Sequence, residues 1–409
     1  HFPMTVRYAR GMGKPMVGMT AAFHGSWGDF GAPKARASLE HDCLQMLAQG
    51  AGCSVGDQLL PRGVFDAATL ELVGQVYAGV EAREPWCVGA EAQAEVGVFY
   101  PEAFGASDGQ IDSSAAGAMA ALAEGHHQFD FIDGGADLGR YRVILVPDRI
   151  RMGPQLGESL GSYLEGGGAL ILCHLGGLSP EGDHFTLTQV GAECVGISPH
   201  EPDFLVPGPA LARGLPPTPL AMKWRAMRVR PGPDTEVLAR VKLGTFQRDW
   251  RRFTSHLHAP AGPDADYPAA TRRGQVIYFA HPILSMYRQQ AWPWCRDLLL
   301  NALDLLLPRP LVRTDAPRAC QVTVTRQAGP ARRVVHLFNY QPRSVAEAMP
   351  TVDEVVPLHE VAVALRCDEG APSRVVLQPQ GEALALAWEA PYARFTVPRV
   401  DGHQLIEVS

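Results

Sequence analysis

The sequence predicts a multidomain α/β protein in three parts, and three observations predict it. Residues 1–90 read as strand, polar loop, helix, strand, polar loop and helix. From Ala94 onward, short and nearly continuous apolar strands alternate with helices, the texture of a parallel sheet covered on both faces. From Cys320 the apolar period falls to two, with turn residues between short strands, as in a β-sandwich.

In the opening part, a strand beginning at Met16 runs into a loop that holds His24, Trp27 and Asp29. The second strand ends in Gly56, Asp57 and Gln58. Between them, Leu39, Cys43, Met46 and Leu47 recur at helical spacing and mark one buried face. Asp66 is placed to cap a second helix, with Leu70, Val73, Tyr77 and Val80 on one side. Two successive units of this kind suit the end of a (β/α)8 barrel, where chemistry sits on loops at the carboxyl ends of strands. A sugar site needs an aromatic plate for the C–H face of the ring and short polar side chains for its hydroxyls. Trp27 with His24 and Asp57 offers both. Each also has a plain alternative: the indole as a plug of the barrel end, His24 as a hydrogen-bonded loop residue, Asp57 as a turn cap. Asp29 reads as a cap, and Arg7, Tyr8 and Arg10 as a solvated loop.

In the middle part the expected strands are Val96–Tyr100, Phe129–Asp133, Val143–Pro147 and Ala169–Cys173. Asp112 or Ser113 caps an Ala-rich helix ending near Gly125, and Leu156, Leu160 and Leu164 stripe the next one. Gly166-Gly-Gly168 ends that helix as a turn, since it precedes a strand instead of opening a helix. Residues 198–220, dense in Pro and Gly, read as a wandering loop. Strands are expected at Thr235–Lys242 and Gly274–Ala280, and a buried helix at Trp294–Leu307. The stretch Phe246–His258 mixes Arg248, Arg251 and Arg252 with Trp250 and Phe253, a solvated loop or a contact surface. His256 and His258 lack a nearby Cys or carboxylate pair, so no metal is expected there. The closing strands fall near Val322–Val324, Val334–Leu337, Val375–Leu377, Ala383–Trp388, Arg394–Val397 and Leu405–Val408.

Bulk properties narrow the function. At 409 residues the chain has room for two to three domains of about 150 residues. A net charge of −7 argues against nucleic acid and does not favour a membrane surface. The longest apolar run, around Leu298–Leu307, is broken by Asn301 and Asp304 and falls short of the ~20 residues of a spanning helix. Eight cysteines without Cys-x-x-Cys spacing read as small buried hydrophobes in a reduced compartment, the cytoplasm, with no disulfide frame, metal or other cofactor. His1 stands where a Met would start the chain, so secretion stays open.

The opening residues carry a resemblance. Ser26-Trp27-Gly28, a helix, and then Ser54-Val55-Gly56-Asp57 resemble the closing segment of the alpha-L-fucosidases of glycoside hydrolase families 29 and 151. The strand end departs from the Asn-Ile-Gly-Pro-like form of family 29. Gly56-Asp57-Gln58 and Glu84-Pro85-Trp86-Cys87 are more similar to relatives bearing a beta-galactosidase-trimerisation-like domain. The middle part resembles that domain, a flavodoxin-like layer similar to class I glutamine amidotransferases, and Leu311–Pro317 resembles its exit.

The resemblance implies the C-terminal portion of a glycoside hydrolase. Residues 1–90 are then the end of the barrel, 91–312 the flavodoxin-like trimerisation-type domain and 313–409 the β-sandwich. It implies a carbohydrate substrate and a homo-oligomer. In the family the nucleophile is an Asp on an earlier barrel strand, so the catalytic carboxylates lie outside this chain, on a missing N-terminal barrel segment. The 409 residues alone are expected to be inactive, with His24, Trp27 and Asp57 contributing to the sugar pocket only. Two other readings stay open: a noncatalytic oligomerisation or carbohydrate-binding module, and a class I amidotransferase-like enzyme using Cys173. The latter has Cys173-His174 at a strand end before Gly176-Gly177, but neither a Gly-x-Cys-x-Gly elbow nor a downstream His-x-Glu.

Overall fold

In the computed structural model, every residue is described except His1, Ser26, Gly28, Gln110, Glu347 and Ala348, and the side chains of Val345, Ala346 and Met349. The chain forms two units. One comprises His1–Gln93, Ala123–Gln128 and Pro310–Ser409, the other Ala94–Leu122 and Phe129–Arg309.

In the first unit, the strands Val17–Ala21 and Gly52–Gly56 pair in parallel, Val17 opposite Gly52 and Ala21 opposite Gly56. The helix Arg36–Ala48 crosses between them, as a parallel pair requires. Its Leu39, Cys43, Leu44 and Leu47 pack with Val76 and Val80 of the helix Ala67–Glu81 and with Phe338, Tyr340 and Val352. Met46 faces elsewhere, joining Val6 and Ala51. Gly18 is bare for a reason: a Cβ there would meet Met46 Sδ and Phe2 Cε2, each at 2.6 Å.

Two expectations change here. The segment with Arg7, Tyr8 and Arg10 is no loop: Phe2–Ala9 is a helix that buries Met4 and Val6. Leu70 is 49% exposed, because the buried side of its helix is set further along by Val76 and Val80.

The closing strands form two antiparallel sheets. In order, one holds Glu382–Ala383, Val375–Gln378, Gly402–Val408, Arg332–Asn339, Gln321–Gln327 and Glu91–Ala92, and the other Val312–Thr314, Leu358–Arg366, Tyr392–Val400 and Ala387–Glu389. The alternation of Val322, Val324, Val335 and Leu337 in the first, and of Val361, Val363, Phe395 and Val397 in the second, fills one apolar core between them. The expected single strand at Ala383–Trp388 is two short pieces, at Glu382–Ala383 and Ala387–Glu389. Gln128 acts as a side-chain rung on this sheet: its Nε2 donates to Val322 O at 2.9 Å and its Oε1 accepts from Val324 N at 3.0 Å.

In the second unit, five parallel strands run in the order 2-1-3-4-5: Phe129–Ile132, Val96–Phe99, Val143–Val146, Ala169–Cys173 and Val276–Phe279. Every residue of these strands is buried, as continuous apolar runs demand. Asp112 caps the helix Ser113–Glu124 by accepting from Ala115 N at 2.9 Å.

The sheet is mixed, not wholly parallel. Ala261–Arg273, Glu236–Gly244, Asp203–Pro207 and Leu220–Met222 extend it antiparallel beyond Val276–Phe279. Residues 198–220 are therefore not a simple loop: Asp203–Pro207 is a strand that buries Phe204 and Leu205. Between Gly244 and Ala261 no regular element forms, so His256 and His258 do not share a strand face. Trp250, Phe253 and Leu257 are exposed there.

Candidate functional site

The parallel pair of the first unit ends in two loops, and a hollow of about 420 Å³ opens between them. The first loop is an excursion closed at its base. Ala22 N donates to Gly56 O, Lys34 N to Ala22 O and His24 N to Ala32 O, each at 2.9 Å, and Phe23 bridges Pro33.

A polar clamp fixes the return of that loop. Lys34 Nζ and Thr20 Oγ1 both donate to Asp42 Oδ2, each at 2.7 Å, and His41 Nδ1 lies 3.0 Å from Asp42 Oδ1. Burial pushes the Asp42 carboxyl up, but the hydrogen bonds of His41 and Lys34 outweigh it and hold the group well below the usual carboxylate range. Asp42 thus stays an ionised carboxylate, paired with the Lys34 ammonium, between strand, loop and helix.

Asp29, Asp57 and Gln58 line the hollow, with Phe23 and Phe30 as its aromatic walls. Asp66 and Thr69 reach it from the start of the helix Ala67–Glu81. Asp66 caps that helix, accepting from Thr69 N at 2.9 Å. Asp57 accepts from Gln58 N at 2.8 Å, the turn geometry its sequence context allows.

The three residues singled out from the sequence fall in three settings. Asp57 lines the hollow. Trp27 is not among the lining residues; it is 56% exposed, its ring edge-on to Phe23 with centroids 5.4 Å apart. His24, half-buried, is outside the lining. Its neighbours Ser26 and Gly28 lie outside the described residues. Sequence reasoning gave Asp29 only a capping role and passed over Phe30. Their loop has no periodicity to read, and only its density of Gly and aromatic residues set it apart.

Glu84-Pro85-Trp86-Cys87 forms a short helix with a structural task. Trp86 Nε1 donates to the buried Glu407 Oε2 at 2.7 Å, and Arg332 and Arg374 pair with the same carboxylate.

Cys173 is fully buried, and burial, with Asp148 adding to it, pushes its thiol well above the ordinary value. A thiol held protonated and shielded from solvent is not an activated nucleophile. Beside it, burial lowers His174 to about 4, with His281 as a further cause. His281 Nε2 and Asp203 Oδ1 lie 2.6 Å apart, wholly enclosed. Among the described residues no group of three or more His, Cys, Asp or Glu side chains is arranged to hold a metal. Among them, too, no helix is long and apolar enough to cross a membrane.

Comparison with known proteins places this geometry. The Beta-galactosidase trimerisation domain family matches residues 116–224. No protein of curated function matches. Among solved structures, alpha-L-fucosidase isoenzyme 2 from Paenibacillus thiaminolyticus superposes with a TM-score of 0.96 at 32% identity, covering 100% of this chain and 62% of its own. The beta-galactosidase from Bacillus circulans sp. alkalophilus gives 0.67 at 17% identity, covering 100% of this chain and 58% of its own. That from Rahnella sp. R3 gives 0.67 at 16%, covering 99% and 57%. At such identities the two galactosidases testify to the fold alone. The chain spans less than two thirds of the length of each of these relatives. Over its whole length this chain is alpha-L-fucosidase-like, and it bears a beta-galactosidase-type trimerisation domain.

Proposed function

We propose that these residues form the C-terminal portion of a retaining alpha-L-fucosidase-like glycoside hydrolase, with the catalytic carboxylates on polypeptide outside this chain. The observation that carries the reading is the hollow at the carboxyl ends of a parallel strand pair, in a chain that superposes along its whole length on an alpha-L-fucosidase. In this reading Val17–Ala21 and Gly52–Gly56 are the last strands of a (β/α)8 barrel. Val17 and Met19, 70% and 59% exposed, then belong to a face that the rest of the barrel covers. The order 2-1-3-4-5 supports a flavodoxin-like second unit, and the shared core of the two closing sheets supports a β-sandwich.

Chemically, Asp57 and Asp29 accept hydrogen bonds from sugar hydroxyls, and the exposed indole of Trp27, on the same loop as His24, offers a flat apolar plate. Retaining hydrolysis needs two carboxylates about 5 Å apart, one to attack and one to shuttle a proton. Asp66 is committed to its helix cap, which leaves it poorly suited to either task.

The test is turnover of an aryl α-L-fucoside. The 409 residues alone should show none, whereas the longer polypeptide that contains them should hydrolyse it. Asp57→Asn should lower kcat/KM of that longer enzyme by about tenfold to a hundredfold, as expected for a lost charged hydrogen bond. Turnover by the isolated chain, or an unaffected Asp57→Asn enzyme, overturns the reading. The match over residues 116–224 favours an accompanying role in a homo-oligomer. Sedimentation of the chain as a monomer at micromolar concentration would remove that role.

A further inference from the structure

Behind the helix Ala67–Glu81, a chain of buried hydrogen bonds runs toward two donors that have no acceptor. It begins at Thr325, 1% exposed, whose hydroxyl lies 3.1 Å from His336 Nε2. His336 Nδ1 in turn lies 3.1 Å from His403 Nε2. Both rings are buried, and burial holds both imidazoles neutral at ordinary pH. A neutral imidazole donates at one nitrogen and accepts at the other. The Thr325 hydroxyl has no second acceptor among the described residues, so its proton goes to His336 Nε2. His336 then carries its proton on Nδ1 and donates it to His403 Nε2, which leaves the proton of His403 on Nδ1. That nitrogen is buried without a partner, in a residue 2% exposed.

The second idle donor belongs to Arg83. Its Nη1 donates to Gly79 O at 2.8 Å and its Nη2 to His403 O at 3.1 Å, while its Nε–H is buried and unpartnered. Among the described residues no carboxylate pairs with this guanidinium, so its charge lacks a counter-ion. Because Arg83 grips the carbonyl of His403 itself, the two unspent N–H groups sit on two residues already joined by a hydrogen bond.

We propose that Arg83 Nε–H and His403 Nδ1–H converge on one small monovalent anion, chloride. Such an ion supplies both the acceptor that the two donors lack and the negative charge that Arg83 lacks. A water in its place leaves the guanidinium unbalanced and needs acceptors for two protons of its own. Phe338, its ring edge-on to His403 with centroids 6.0 Å apart, adds hydrocarbon beside the imidazole, which favours a weakly hydrated halide over fluoride. The ion ties the end of the helix whose start reaches the hollow to the strand Gly402–Val408. The proposal stands whether or not the hollow binds a sugar.

The experiment melts the native chain at neutral pH while sodium chloride replaces sodium gluconate at constant ionic strength. Between about 1 mM and 300 mM chloride the midpoint should rise by about 2–4 °C, as for any ligand held only by the folded state. Bromide should act as chloride does, and fluoride should not. Arg83→Gln, which removes the guanidinium charge and its Nε–H, should abolish the response. Should that variant misfold, nitrogen-15 spectra of the parent still decide: His403 should carry its proton on Nδ1, and that resonance should move as chloride is added. A His403 protonated on Nε2 overturns the proposal. So do a melting midpoint and a resonance indifferent to halide, which would mean that water alone satisfies the two donors.

Discussion

The indole of Trp27 rests on the bare backbone of Gly56. A Cβ built at Gly56 would lie 2.4 Å from Cη2 of the ring and 3.0 Å from Cζ3, so only a glycine admits the ring there. The next residue, Asp57, lines the hollow. The ring sits on the side of the strand where the Gly56 side chain would be, and it is not among the residues that line the hollow.

Gly56→Ala should push the indole off the strand. Trp27 is already 56% exposed, so the cost in stability should be small, about 0.5–1 kcal/mol. The emission of Trp27, taken as the difference from Trp27→Phe in each background, should shift to longer wavelength and become easier to quench with iodide. Superimposable difference spectra would show that the glycine does not seat the ring.

A second glycine answers to packing rather than to the site. At Gly117, within the helix Ser113–Glu124, a Cβ would sit 1.9 Å from the backbone oxygen of Leu284. Backbone cannot rotate aside as a side chain can, so Gly117→Ala must part the helix from the chain at Leu284. The expected loss is about 2–4 kcal/mol, read as a fall of several degrees in the melting temperature. A melting temperature equal to that of the parent would contradict the close approach.

How much of this was legible in the sequence follows the strength of each local signal. The five parallel strands are readable because Val143–Val146 or Ala169–Cys173 offers nothing but apolar residues, and the caps Asp66 and Asp112 because their chemistry is local. Asp203–Pro207 is not readable: its buried Asp203 is satisfied by His281 and Tyr267, which lie far along the chain. Ala261–Arg273 hides behind Pro263 and Pro268. The discontinuous first unit is equally hidden, since Glu91–Ala92 is two residues long and Gln128 joins the sheet through its side chain. At the site, Asp57 follows from the strand-end pattern. Asp29 and the positions of His24 and Trp27 outside the lining depend on how an aperiodic loop folds back, which its backbone bonds to Ala22 and Ala32 and the Thr20–Asp42–Lys34 clamp fix together.

The first unit should weaken in acid. His336 Nδ1 and His403 Nε2 lie 3.1 Å apart in stacked rings, and both residues are buried. Burial lowers His336 to about 3 and His403 well below its ordinary value. Folded values below the unfolded 6.5 mean that only the unfolded chain takes up protons as the pH drops. Stability is therefore full above that value and falls as the pH is lowered toward 3. At pH 5 the loss should be about 2 kcal/mol for each histidine. His336→Gln should flatten the urea midpoint between neutral and mildly acid pH, and an undiminished slope would remove the pair as its cause.

The second unit should respond in the opposite sense, through Asp148. Its Oδ2 accepts from Ser285 N at 2.8 Å and Ser285 Oγ at 2.7 Å, while its Oδ1 is buried without a partner. Burial outweighs those two hydrogen bonds and raises the carboxyl from 3.8 to about 7. The folded value lies above the unfolded one, so the neutral acid belongs to the fold. Its contribution is complete below 3.8 and is lost as the pH rises through 7. The full loss is on the order of 4 kcal/mol. Asp148→Asn keeps an acceptor for Ser285 and carries no charge at any pH. The variant should match the parent in stability near pH 4 and exceed it above pH 7, by calorimetric melting of the transition assigned to this unit. A parent and variant that run parallel across that range would mean that Asp148 is ionised in the fold, and that Arg149 or solvent compensates its charge.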